Sequence, residues 1–147
     1  MNLFDVVTDL DCSEVGLGFA SQFFPLHNMP GWFSPYMSWG YHGDDGDMYG
    51  NKAEIRGGHT YGMGDIVGAG VDFSKQEVFF TRNGESLGTS FQGKDVKGKL
   101  FPIVGMFPCG IKIRANFGER EFKYPLGQER EPTLGPTPLL SADALAT

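Results

Sequence analysis

The sequence has few cysteines, no surplus of basic residues and no long apolar run, and each shortage excludes a class of protein. Only Cys12 and Cys109 occur among its 147 residues. Two cysteines cannot form the dense disulfide framework that small secreted domains need, and their spacing does not match a zinc site. We therefore favour two reduced, buried thiols in an intracellular protein, with a single disulfide as the alternative.

The charge balance and hydropathy pattern argue against nucleic-acid and membrane partners. Twelve Lys and Arg against eighteen Asp and Glu give a net charge of −6, and an acidic surface repels a polyphosphate backbone. No apolar stretch approaches the roughly 20 residues that a membrane-spanning helix needs. The first residues carry acids and lack the basic region of a secretory signal. We expect a cytoplasmic protein, with a nuclear location as the alternative.

Glycine and phenylalanine are abundant instead. The chain contains 22 Gly and 13 Phe, which implies many tight turns between short strands and a core built on phenylalanine. No segment between Val15 and Phe117 shows a convincing helical period of 3.6 residues. The composition therefore favours an all-β fold.

Alternation with a period of two residues predicts where the strands lie. Residues 77–82 lead into Asn83-Gly84, a strong signal for a tight hairpin. Further strands are predicted at residues 14–20, 37–42, 66–73 and 100–107, the last of them buried on both faces. In a final strand, Ile111, Ile113, Ala115 and Phe117 should face the core, with Lys112, Arg114 and Asn116 in water. These strands predict a sandwich of two antiparallel sheets.

The last part of the chain has a different character. Residues 127–147 contain Pro132, Pro136 and Pro138 and show no strand pattern. Segments with few large apolar groups cannot bury enough surface to offset the entropy of ordering. We therefore predict one domain over residues 1–126, followed by a flexible tail over residues 127–147.

An acidic run between two predicted strands is the most tempting metal site. Three carboxylates and an imidazole occur in His42-Gly43-Asp44-Asp45-Gly46-Asp47, but the spacing does not follow a calcium-binding loop. Asp beside Gly is also what a tight turn requires, and we favour the turn. No nucleophile elbow is present, and the Gly-rich run at 62–65 precedes a strand rather than a helix, so it cannot cradle a phosphate. We predict no catalytic residues, metal or cofactor.

Five ordered motifs resemble those of SPRY domains, and most closely the Ran-binding protein M branch of that family. Together they extend from residue 31 to residue 124, which is about two-thirds of the chain. They are GWFSPYMSWGYHGDDGDMYG (31–50), YGMGDIVGAGVDF (61–73), EVFFTRNGESLGTSF (77–91), LFPIVGM (100–106) and IRANFGEREFKY (113–124).

The resemblance implies a bent β-sandwich whose loops form a peptide-binding surface and which has no catalytic activity. Such domains act as adaptors, delivering partners to ubiquitin ligases or scaffolding signalling complexes, and the Ran-binding protein M branch resembles a core subunit of the CTLH-type ubiquitin ligase. Family members usually have one or two strands before FDVV (residues 4–7). We expect their absence here to leave an unpaired sheet edge.

The same resemblance suggests which residues contact the peptide. Tyr49 follows the acidic turn at the place of a peptide-contacting tyrosine. Met106, Phe107 and Pro108 fall on the loop that provides an apolar wall, although the peptide-binding SOCS-box branch has Trp where this chain has Pro108. The alternative for Tyr49 and Phe107 is packing in the core. For Trp32 we expect a place in the core.

The function predicted is therefore a protein-interaction module that binds a short peptide segment of another protein, with ubiquitin-ligase subunits among the expected partners. The alternative is a lectin-like carbohydrate-binding domain in which Trp32 contacts sugar and the acidic residues 44–47 bind calcium. Calcium-dependent stabilisation would distinguish the two. A secreted SPRY effector is a weaker alternative, because the sequence lacks a signal peptide pattern.

Overall fold

Ten short strands make up the regular structure of the described residues. The computed structural model describes residues 2–8, 14–32, 37–50, 53–107 and 112–125, and no helix occurs in these ranges, so none there can cross a membrane. The strands are β1 (Asn2–Thr8), β2 (Glu14–Ser21), β3 (Ser38–His42), β4 (Met48–Gly50), β5 (Ala53–Ile55), β6 (Ile66–Asp72), β7 (Glu77–Arg82), β8 (Glu85–Gln92), β9 (Leu100–Phe107) and β10 (Ile113–Asn116).

The strands form two five-stranded antiparallel sheets, which confirms the predicted sandwich. The first sheet has the order β10-β1-β6-β7-β8, and the second has the order β5-β4-β3-β2-β9. The β1 strand is paired on both sides, with β10 and with β6, so the sheet edges of the described structure lie at β10, β8, β5 and β9. Pro102 lies in the edge strand β9, which agrees with the restriction of proline to sheet edges.

The core lies between the facing sides of the two sheets and is built on aromatic rings. Phe4 of the first sheet meets Phe19 of the second edge to face at 5.5 Å, and stacks on Phe117 at 5.7 Å. Trp39 and Tyr41 point inward from β3 and are buried. Burying one such side chain contributes about 2–3 kcal/mol, so the aromatic layer supplies much of the attraction between the sheets.

The strand predictions were right for the longer strands and missed the shortest ones. They also gave the wrong exposure for a residue that a neighbouring segment covers. The bounds of β7 and β9 are as predicted, and the Asn83-Gly84 hairpin turns through positive φ angles of 52° and 89°. The three-residue strands β4 and β5 were not predicted. Asn116 does not face water: it is only 2 % exposed, so that prediction was wrong.

The outer face of the first sheet is covered by the segment that follows β10, which explains the burial of Asn116. The Asn116 side-chain amide donates to the Arg120 carbonyl at 3.2 Å, and its oxygen accepts the Gly118 and Arg120 amides at 3.0 and 3.2 Å. Further along, the Tyr124 ring packs on Phe79 at 5.9 Å. The side of β10 that faces away from the second sheet is therefore partly buried by the residues that follow the strand.

The outer face of the second sheet is covered by residues 22–32, the connection between β2 and β3. Glycines occupy adjacent outward positions, since Gly16 pairs with Gly105 and Gly18 pairs with Gly40. A Cβ on Gly105 would lie 2.6 Å from the Met29 sulfur, and one on Gly40 would clash with Pro30. The bare backbone therefore lets the connection lie directly on the sheet.

Several predictions fall on parts of the chain that the structure does not describe. Cys12, Cys109, Pro108 and Ile111 lie outside the described residues, and so does the predicted tail at 127–147. The two thiols and the tail remain predictions.

Candidate functional site

The candidate site lies on the outer face of the second sheet, where the turn between β3 and β4 meets the end of the covering connection. The turn presents Asp44 and Asp45, β4 presents Tyr49, and residues 22–32 end with Trp32, whose ring contacts Tyr49. We call these four side chains, Trp32, Asp44, Asp45 and Tyr49, the Trp32 surface. Both acids and Trp32 are exposed, and Tyr49 is half-buried.

Three rings hold the aromatic part of this surface in place. The Trp32 ring lies 5.3 Å from His42 and 6.3 Å, edge to face, from Tyr49, while His42 and Tyr49 are 4.5 Å apart. Edge-to-face and tilted contacts at such distances are favourable beyond area burial. Trp32 nevertheless remains 45 % exposed, so the prediction that it lies in the core was wrong. Nearly half of a positioned indole is therefore open to solvent.

His42 lies beneath the surface and anchors the connection. Its Nε2 lies 2.7 Å from the Pro30 carbonyl oxygen. Because a carbonyl can only accept, Nε2 must carry the proton and donate. Burial lowers the pKa of His42, against the opposing effects of the Pro30 hydrogen bond and of the nearby Asp45, Asp44 and Asp47 carboxylates. The imidazole is therefore neutral at pH 7, and it fixes the backbone two residues before Trp32.

The acidic turn is held by its own carboxylates, as the turn prediction required. Asp45 accepts the Asp47 amide on Oδ1 at 2.8 Å and the Tyr49 hydroxyl on Oδ2 at 2.6 Å. Asp47 accepts the Gly57 amide at 3.0 Å, and Gly46 has a φ of 76° that favours glycine. Partial burial, the bond to Asp45 and the neighbouring acids raise the pKa of Tyr49. The phenol therefore stays protonated and continues to donate to Asp45.

One group within the turn has the spacing of a cation site. Ligand atoms of His42, Asp44 and Asp45 all lie within 4.8 Å of one another. Oxygen and imidazole ligands suit several divalent cations. Asp45 already accepts two hydrogen bonds and His42 already donates one, so the group has a complete role in the turn without an ion.

The predicted peptide-contacting residues do not form one cluster. Tyr49 belongs to the Trp32 surface, Met106 packs against the core from β9, and Phe107 ends β9 with 61 % of its surface exposed. Tyr49 and Phe107 share the outer face of the second sheet but lie three strands and four residues apart. This places them about 20 Å from each other at ordinary strand spacing and rise.

A concave region lies on the outer face of the first sheet, on the opposite side of the molecule from the Trp32 surface. Asp5, Arg114, Arg120 and neighbouring residues line a cavity of about 440 Å³ beneath the segment that covers the first sheet. Burial raises the pKa of Asp5, although hydrogen bonds from the Lys123 amide and Asn116 and the charge of Arg120 oppose this. Asp5 holds the covering segment through the Lys123 amide at 3.3 Å, which indicates a structural role.

Comparison with known proteins identifies the family. Residues 4–120 match the SPRY domain. The chain is 39 % identical over 114 residues to a Ran-binding proteins 9/10 homolog of Drosophila melanogaster and 34 % identical over 116 residues to the Ran-binding protein M homolog of Arabidopsis thaliana. These matches cover 75 % and 77 % of this chain.

The same matches cover only 11 % and 24 % of those relatives, so the chain spans a small part of their length. Among solved structures, a human SPRY domain superimposes with a TM-score of 0.63 at 33 % identity, covering 78 % of this chain and 74 % of that one. The sequence matches and the structural superposition therefore assign the chain to the same family. The chain belongs to the SPRY domain family.

Proposed function

We propose that this domain is a non-catalytic protein-interaction module that binds a short, extended peptide segment of another protein over residues 22–32, the connection that covers the outer face of its second sheet. The observation that carries the proposal is the exposed, positioned indole of Trp32. Large aromatic side chains that become buried on binding dominate the energy of protein interfaces. Because Tyr49 and His42 already fix the ring, little side-chain entropy is lost when a partner covers it.

The geometry of the face suits an extended peptide. Tyr49 and Trp32 form the anchor at one end, and Phe107 offers a second apolar contact about 20 Å away by ordinary strand spacing. An extended chain rises about 3.3 Å per residue, so about six residues span the two contacts. Met106 faces the core and takes no part in this arrangement.

We further propose that the module serves as an adaptor or scaffold in the cytoplasm or nucleus, with ubiquitin-ligase subunits among its partners. Similarity to a Ran-binding protein M homolog and to Ran-binding proteins 9/10 supports this assignment. It rests on family analogy, whereas the peptide-binding proposal rests on the residues of the face itself.

A displayed library of random 12-residue peptides tests the binding proposal directly. We expect the wild-type domain to enrich peptides that Trp32→Ala no longer binds. Met63→Ala is the matched control, because Met63 is similarly exposed but lies in the turn before β6 of the other sheet. Phe107→Ala should weaken enriched peptides by about tenfold, as expected for losing one moderate contact. Phe107→Ala and Met63→Ala should keep the melting temperature of the wild type within about 2 °C, as surface substitutions do. Trp32→Ala removes a ring that is more than half buried, so binding is compared at a temperature at which every variant is folded.

Failure to enrich any Trp32-dependent peptide contradicts the proposal. The lectin-like alternative has its own support in the spacing of His42, Asp44 and Asp45 beside an exposed Trp32. A rise in melting temperature with millimolar calcium, reversed by a chelator and absent in Asp44→Asn, would favour that alternative.

A further inference from the structure

The Trp32 surface combines an exposed aromatic ring with carboxylates that no cation neutralises among the described residues. Among the described residues, Asp44 has no hydrogen-bond or ion-pair partner. Asp45 accepts only the neutral Asp47 amide and the Tyr49 hydroxyl, whereas Asp47 accepts the Gly57 amide and also interacts with the charge of Arg56. Hydrogen bonds from neutral donors hold a carboxylate in place but leave its negative charge uncompensated.

Within the part of the chain that the structure describes, the basic groups beside this surface are already paired or uncharged. Arg56 pairs with Glu54 at 2.8 Å, on the strand next to Tyr49. His42 donates to Pro30, and burial keeps it neutral at pH 7 by lowering its pKa. Negative potential therefore remains at the edge of the exposed indole.

These two features complement one kind of side chain. A guanidinium is flat, stacks on an indole face and carries five N–H donors that can reach two carboxylates at once. Ligand atoms of Asp44 and Asp45 lie within 4.8 Å of each other, which one guanidinium fork can reach. A lysine ammonium would satisfy the charge but could not stack.

We propose that the peptide bound at the Trp32 surface presents an arginine, whose guanidinium stacks on Trp32 and donates hydrogen bonds to the carboxylates of Asp44 and Asp45. This inference rests on the proposed peptide-binding function and specifies the chemistry of its partner. Anionic partners such as nucleic acids and acidic membranes are repelled by the same carboxylates. The module is therefore selective for basic segments of other proteins.

The peptides recovered from the random 12-residue library supply the test. Arginine should be enriched at one position relative to the input library. A synthetic copy of the best peptide should bind about tenfold or more weakly when that arginine is replaced by citrulline, which has nearly the same shape but no charge. Replacement by lysine should retain part of the affinity because the charge remains. Affinity should also fall as salt increases.

Two charge variants separate a direct contact from the general acidity of the domain. Asp44→Asn removes one charge at an exposed residue, and we expect it to weaken the arginine peptide about three- to tenfold, as a partly exposed charged contact does. Glu85→Gln removes the same charge from an exposed position of β8 in the other sheet and should change affinity less than about twofold. Equal losses in both variants would overturn the direct contact.

The outcomes also distinguish this inference from the proposed function. Trp32-dependent peptides without enriched arginine, or with arginine that citrulline replaces at no cost, would overturn the arginine inference and leave peptide binding intact. If no Trp32-dependent peptide is recovered, both proposals fail. If enriched arginine peptides lose affinity in Asp44→Asn but not in Glu85→Gln, both stand.

Discussion

Adding a single methyl group to Gly40 should release the connection that carries Trp32. Its Cβ would lie 2.6 Å from the carbonyl carbon of Pro30 and 2.8 Å from the Pro30 Cβ, and closer still to the carbonyl oxygen. Cβ atoms do not approach backbone so closely, and the proline ring limits how Pro30 can move. Either residues 22–32 lift from the sheet or β3 shifts within it.

The expected cost of Gly40→Ala follows from this geometry. Overpacking a closely packed site costs about 1–3 kcal/mol, and a clash with rigid backbone belongs at the upper end of that range. At about 4 °C per kcal/mol for a domain of this size, the melting temperature should fall by about 8–12 °C. Because Pro30 also accepts the His42 hydrogen bond, displacing it should disturb Trp32 and weaken any peptide that depends on that ring.

Two further glycines make the measurement decisive. Gly105→Ala meets the flexible Met29 side chain first and should cost less than Gly40→Ala. Gly93→Ala meets nothing within 4 Å and does not have a positive φ, so it should be neutral or stabilising by up to about 1 kcal/mol. Thermal unfolding followed by circular dichroism ranks the three variants. If Gly40→Ala were as stable as Gly93→Ala, the packing of residues 22–32 against the sheet would be refuted.

Two buried ionisable groups predict opposite effects of pH on stability, measurable as melting temperature in buffers from pH 8 to pH 3. Because burial lowers the pKa of His42, the unfolded chain takes up this proton near pH 6.5 before the folded chain does, so the melting temperature should fall as pH drops below 6.5. His42→Gln keeps a donor for Pro30 and should remove that part of the fall; an unchanged fall would contradict the assignment. Because burial raises the pKa of Asp5, its ionisation disfavours the folded state, so stability is lost as pH rises above 3.8. Asp5→Asn should therefore stabilise the domain at pH 7 but not at pH 3, and equal effects at both would exclude the linkage.

The sequence was sufficient for the architecture because its strongest local signals are also the determinants of the fold. The run at residues 77–82 before the hairpin and the continuous apolar run at residues 100–107 predicted β7 and β9 at their observed bounds, and Asn83-Gly84 predicted the hairpin that its positive φ angles form. The strands β4 and β5 have only three residues each, too few for a period to show. β4 forms because β3 offers a pairing edge, and β5 forms because β4 offers the next one, which is information from the tertiary structure.

The environments of Trp32 and Asn116 could not be predicted from strand alternation. Each depends on a connection that crosses the outer face of a sheet, and alternation describes only the strand itself. For the second sheet a signal was nonetheless present, since Gly16, Gly18, Gly40 and Gly105 are glycines at strand positions of one face. Glycine inside a strand marks a place where another backbone approaches.

Within the acidic turn, Asp45 stabilises the structure, whereas the adjacent Asp44 offers its charge to a partner. Asp45 uses one oxygen for the Asp47 amide and the other for the Tyr49 hydroxyl, so replacing it would loosen the turn and Tyr49 together. Asp44 lies beside it, exposed, and makes no such bond in the described structure. A change at Asp44 can therefore alter the charge offered to a partner without altering the turn, which makes it the residue through which partner preference can change independently of stability.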